Sequence, residues 1–107
     1  MAKFMYLYRG PATPMSNVTS EQTAERMAAF GAWMHKVDAA LVDVGSPFGS
    51  STSVRDDGTE GTAGDLIGDT SVEADDLSAA KALTDGLPFL SNSDGKFAVE
   101  VFELLPI

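Results

Sequence analysis

Residues 3–9 read Lys-Phe-Met-Tyr-Leu-Tyr-Arg and are halted by Gly10-Pro11. The run is rich in β-formers and is predicted to be a strand. Alternation puts Phe4, Tyr6 and Tyr8 on one face and Met5 and Leu7 on the other. Both faces are apolar, so both must be covered. One layer of helices covers one face only. A chain of 107 residues has enough surface for one core and not for two. A single domain spanning 1–107 is therefore expected, with a second copy as the cover for the remaining face.

The rest of the chain supplies the expected layer of helices. Residues 11–18 read as a loop. Thr19-Ser20-Glu21-Gln22 fits a capping box, with Thr19 at N-cap and Gln22 at N3. A helix then runs to about Leu41, with the apolar stripe Met27, Phe30, Met34, Val37 and Leu41. Trp33 flanks that stripe on one side and His35 on the other. A short strand over 41–45 leads into a polar loop, Ser-Pro-Phe-Gly-Ser-Ser-Thr-Ser-Val. Asp57-Gly58 suits a type I′ hairpin turn. A strand over 65–73 follows, its propensity lowered by Gly68 and its aspartates. Asp75 or Asp76 caps a second helix with inner residues Ala80, Leu83 and Leu87, ended by Gly86 and Pro88. The last strand is 96–105. The order is β-α-β, hairpin, β-α-β, the split β-α-β or ferredoxin-like arrangement of an α+β protein.

Charge narrows the partners. Seven Lys and Arg face 16 Asp and Glu, a formal net charge of −9. The cations are scattered from Lys3 to Lys96, so no basic stripe exists for nucleic-acid phosphates or an anionic membrane. With no cysteine and one histidine, a disulfide framework, a Cys zinc site and a thiol nucleophile are excluded. No run approaches the roughly 20 apolar residues of a membrane span. The opening apolar run is too short for a signal peptide, so a cytoplasmic location is expected. No metal and no cofactor are expected: Gly-Thr-Ala-Gly-Asp-Leu-Ile-Gly-Asp lacks phosphate-loop spacing, and the carboxylates between Asp56 and Asp76 lack the spacing of a calcium loop.

Three segments together resemble the YCII-related domain family. They are the opening KFMYLY, the run AALVDVGSPFGSSTSV, and SVEADDLSAAKAL with GLPFL and the terminal LLPI. SPFG is similar to that family's Gly-x-Pro loop, and EADDLSAAKAL to its entry into the second helix. The resemblance covers nearly the whole chain. It implies a ferredoxin-like monomer pairing through its open sheet face as a dimeric α+β barrel, with small-molecule chemistry among some members. The YciI-type His–Asp dyad is missing. The first-helix start SEQTAERMAAF holds no His, and Leu87 is the residue before Pro88.

Several residues remain as candidates for chemistry. His35 and Asp38 lie at i, i+3, where a carboxylate can set an imidazole's tautomer. Asp69 and Glu100 are carboxylates amid apolar strand residues, where burial would raise a pKa for acid–base work. Solvated edge positions are the plainer reading of both. Tyr6, Tyr8, Trp33, Ser46, Pro47, Phe48 and Ser53 are candidate ligand contacts at a cleft of the dimer barrel. The expected partners are a second copy of the chain and a small molecule. The expected function is small-molecule binding in that cleft, with acid–base chemistry on a small, aromatic compound as its catalytic version. The alternative is a non-catalytic dimeric accessory or protein-interaction module.

Overall fold

The computed structural model describes residues 2–10, 19–90 and 95–106. The loop expected over 11–18 lies outside the described residues. The chain is α+β. Strand β1, Ala2–Arg9, is followed by helix α1, Ser20–Val37, and strand β2, Leu41–Asp43. Strands β3, Ser53–Val54, and β4, Glu60–Gly61, form a separate hairpin. Strand β5, Leu66–Ala74, helix α2, Leu77–Ala82, and strand β6, Ala98–Leu104, complete the order. The main sheet is ordered β2-β5-β1-β6, with every neighbouring pair antiparallel.

Pairing register assigns the faces. Phe4 lies opposite Val72, Tyr6 opposite Thr70, and Tyr8 opposite Gly68. This row is sealed by Trp33 and Val37 of α1, by Ala80 of α2 and by Leu87. Phe4, Tyr6 and Trp33 are almost wholly removed from solvent. Each such side chain contributes roughly 1.5–3 kcal/mol on burial. The polar tips of this core are all bonded. Tyr6 Oη donates to the Ala80 carbonyl, and Trp33 Nε1 donates to the Leu83 carbonyl at 2.8 Å. These two bonds tie α1 and α2 to the sheet and to each other.

The opposite face carries Met5 beside Ser71 and Phe102, and Leu7 beside Asp69 and Glu100. Met5 and Leu7 are half-buried within one chain, while Phe102 is 50% and Leu104 39% exposed. Among the described residues, no helix covers this face.

Helix α1 begins as its sequence signals predict. Thr19 Oγ1 accepts from the Gln22 amide, and Gln22 Oε1 accepts from the Thr19 amide, both at 3.0 Å. The helix ends earlier than the apolar spacing implies. Asp38, at φ +36°, closes it at Val37, and a short 3-10 turn delivers Leu41 to β2 opposite Val72. Leu41 thus packs on the core from a strand, not from the helix. The stripe also shifts: Trp33 is central to it, while Met27 is 71% exposed. Its cause is that residues 20–29 are exposed all round and only the second half of α1 meets the sheet.

The hairpin turn differs from type I′. A type I′ turn needs φ > 0 at both central residues. Here Gly58 alone of the pair has it, at +87°. The Gly58 amide bonds the Arg55 carbonyl at 3.0 Å, and the Arg55 amide bonds the Thr59 carbonyl at 2.8 Å. That is a three-residue loop with a left-handed glycine closing it. Asp57 Oδ1 accepts from the Thr59 amide and hydroxyl at 3.0 and 2.7 Å, which holds its carboxyl below the usual aspartate range. Helix α2 is shorter than expected, ending at Ala82, so Leu87 reaches the core from the turn beyond it. Asp76 is its cap, accepting from the Ala79 amide at 2.8 Å.

Two glycines separate conformational from steric cost. Gly45 has φ +74°, and a Cβ there would lie 2.0 Å from the Asp69 carbonyl oxygen. Gly58 has φ +87° with open space around it. Gly58→Ala should cost about 1 kcal/mol, the left-handed penalty alone. Gly45→Ala should exceed about 2 kcal/mol, because the backbone must also move. Urea denaturation of the two variants checks this, and equal losses would contradict it.

Candidate functional site

A cleft of about 510 Å³ opens where α1 departs from the sheet. One wall is Arg26, Met27, Phe30 and Met34 of α1. The other is Tyr8, Ile67, Gly68 and the Val44–Pro47 segment, with Phe89 from the turn after α2. Its volume falls in the ordinary range for small-molecule sites.

The second wall is built by local backbone chemistry. Gly45 turns the chain after β2, its amide bonded to Asp43 Oδ1 at 2.9 Å. The Ser46 amide donates to Asp69 Oδ1 at 3.1 Å. Pro47 bridges to Gly68, and the Phe48 amide bonds the Ile67 carbonyl at 2.9 Å. Gly68 lowers strand propensity, but a Cβ there would press on the Tyr8 ring and the Ser46 carbonyl, each at 3.3 Å. A glycine therefore lets the loop lie against β5 beside Tyr8.

Aromatic rings line the inner end. Tyr8 and Phe89 stack with centroids 4.3 Å apart. Phe30 stands edge-on to both, at 6.5 and 6.4 Å. Tyr8 Oη donates to Thr70 Oγ1 at 2.6 Å. The Thr70 hydroxyl proton in turn has two carbonyl acceptors, Val44 at 2.9 Å and Asp69 at 2.8 Å. Burial, with the Asp69 charge adding to it, pushes the Tyr8 phenol up to about 12 despite the Thr70 bond. Burial does the same to Tyr6, with Tyr8 contributing. Tyr8 therefore stays neutral at ordinary pH. Only 2% exposed, it forms part of the cleft's inner wall and is not a base.

The sequence candidates fall in different places. Tyr8, Ser46, Pro47 and Asp69 border the cleft. Tyr6 and Trp33 lie in the sealed core behind it. Phe48 is 44% exposed beyond the cleft lining. Ser53 sits in the hairpin opposite Gly61. His35 and Asp38 are both exposed, and no hydrogen bond or ion pair joins them. Glu100 is on the open sheet face, paired with Arg9 at 3.0 Å. Sequence reasoning placed Phe30 and Met34 in a continuous core stripe and missed Phe89, Ile67 and Arg26 as cleft residues. Arg26 beside Met27 was the available signal: a cation next to the apolar stripe.

Comparison with models of known protein families, with curated proteins and with solved structures finds no match for this chain. Among the described residues, no helix is long and apolar enough to cross a membrane.

The tyrosines give a direct test of the packing. The chain has only two, and both phenols are raised to about 12. Native protein should show little tyrosinate absorbance near pH 10, where unfolded chain ionises. A raised phenol stabilises the fold fully below pH 10, and that contribution is lost as pH climbs toward 12. Native titration at the ordinary tyrosine value would contradict the buried hydroxyl arrangement.

Proposed function

We propose that the protein is a small-molecule-binding domain and that its site is the cleft between α1 and the sheet. The observation that carries this is the cleft's composition: about 510 Å³ walled by Tyr8, Phe30, Phe89, Ile67 and two methionines. Apolar pockets of this size with few polar groups are the usual form of such sites. This reading puts the ligand on the helix side of the sheet, within one chain, and not in the interior of a dimer barrel.

The finer fold reading belongs with it. The antiparallel order β2-β5-β1-β6, with both helices on one face, supports a ferredoxin-like split β-α-β arrangement. The resemblance to the YCII-related family agrees with that reading. A second copy on the open face is the assembly we propose. Met5, Leu7, Phe102 and Leu104 make that face too apolar to be left to water comfortably. Binding is favoured over catalysis because the candidate acids and bases do not converge. Glu100 and Arg9 are on the opposite face, and His35 is in solvent.

Two variants separate site from assembly. Ile67→Trp, which fills the cleft, should abolish binding of small aromatic fragments in ligand-observed NMR while circular dichroism stays native. Phe102→Asp should leave fragment binding intact and shift sedimentation from dimer to monomer. Fragments retained by Ile67→Trp would contradict the proposed site. A wild-type monomer at high concentration would contradict the proposed assembly.

A further inference from the structure

The cleft's charge goes beyond its shape. Arg26 stands on the α1 wall, exposed, and has no hydrogen-bond or ion-pair partner among the described residues. Other cations are engaged: Arg9 with Glu100, Lys36 with Asp85, and Arg55 with Thr59 and the Glu60 carbonyl. Asp69 borders the cleft, yet alternation along β5 sends its side chain to the open face. It lies opposite Leu7, while its neighbours Gly68 and Thr70 lie opposite Tyr8 and Tyr6 on the helix face. Its Oδ1 is also held by the Ser46 amide.

Three of the loop's backbone amides are equally committed. The Gly45 amide bonds Asp43, the Ser46 amide bonds Asp69, and the Phe48 amide bonds Ile67. Pro47 has no N–H to offer. At the inner end, the Tyr8 proton goes to Thr70. Among the described residues lining the cleft, the Ser46 hydroxyl and the Arg26 guanidinium are the side-chain donors without a partner, and Arg26 alone brings positive charge. A planar fork of N–H groups matches a carboxylate better than it matches any neutral acceptor. The stacked and edge-on rings at the other end suit a flat body.

We propose that the cleft selects a planar aromatic monocarboxylate, its ring among Tyr8, Phe30 and Phe89 and its carboxylate on Arg26. This rests on the cleft being a ligand site. In a chain of net charge −9, an anion is repelled by the overall field, so the local cation decides selectivity. Because Arg26 is exposed, the pair gains about fivefold in affinity, the scale of a good surface ion pair.

The test is calorimetric titration with 2-naphthoate and its neutral isostere 2-naphthamide. The wild type should prefer the carboxylate by about fivefold at low salt, less as salt is added. Arg26→Gln should erase the preference and leave 2-naphthamide binding unchanged. Equal binding of both probes to wild type would overturn the carboxylate assignment and leave the cleft as a neutral-ligand site. A preference that survives Arg26→Gln would overturn the role of Arg26. Binding of neither probe, with Met27→Asp turning a dimer into a monomer, would make the cleft an interface between copies and overturn both readings.

Discussion

The hydrogen bond from Tyr8 to Thr70 marks where the core stops and the cleft starts. Thr70 is fully buried, the one buried polar side chain among the described residues. Left without Tyr8 and the Val44 and Asp69 carbonyls, its hydroxyl would cost about 1–3 kcal/mol. The bond fixes the Tyr8 ring, on which Phe89 stacks and against which Phe30 stands edge-on. Behind that cluster, Tyr6, Phe4 and Trp33 are sealed. In front of it α1 leaves the sheet and the space is open. The same hydroxyl reaches Val44, so the strand, the loop and the aromatic wall share one anchor.

The sheet has two unlike faces for a reason visible in β1. Its even positions build the core with both helices, and its odd positions are left with a half-buried row of Met5 and Leu7 beside the exposed Phe102. The helix layer is used up on one face. The cleft and the open face are therefore separate surfaces, which lets ligand binding and self-association be altered one at a time.

Much of the fold was legible in the sequence. The alternation of β1, the Thr19 capping box, an aspartate cap on α2 and the element order are all local signals, and each reappears in the structure. The failures are places where tertiary contacts override local pattern. Spacing put Leu41 on the helix, yet Asp38 ends it and pairing with Val72 takes Leu41 into a strand. Asp57-Gly58 has type I′ composition, yet Asp57 is bonded to Thr59 and keeps an ordinary φ. The site was half legible. Ser46, Pro47, Tyr8 and Asp69 were singled out, but Phe89 lies far along the chain from all of them. Periodicity also cannot show that a helix stands off a sheet. Met27 and Phe30 look like core residues in any pattern, and become cleft residues because, among the described residues, nothing buries the first half of α1.

The central claim is that the ligand site lies under α1 and not on the open face. Methionine methyl groups report on both: Met27 and Met34 line the cleft, and Met5 sits on the open face. The measurement is a titration of methyl-labelled protein with indole, followed by NMR. The account predicts that the Met27 and Met34 methyl signals move with a common saturation curve while Met5 stays in place. Movement of Met5 with Met27 and Met34 unperturbed would put the site on the open face and contradict it.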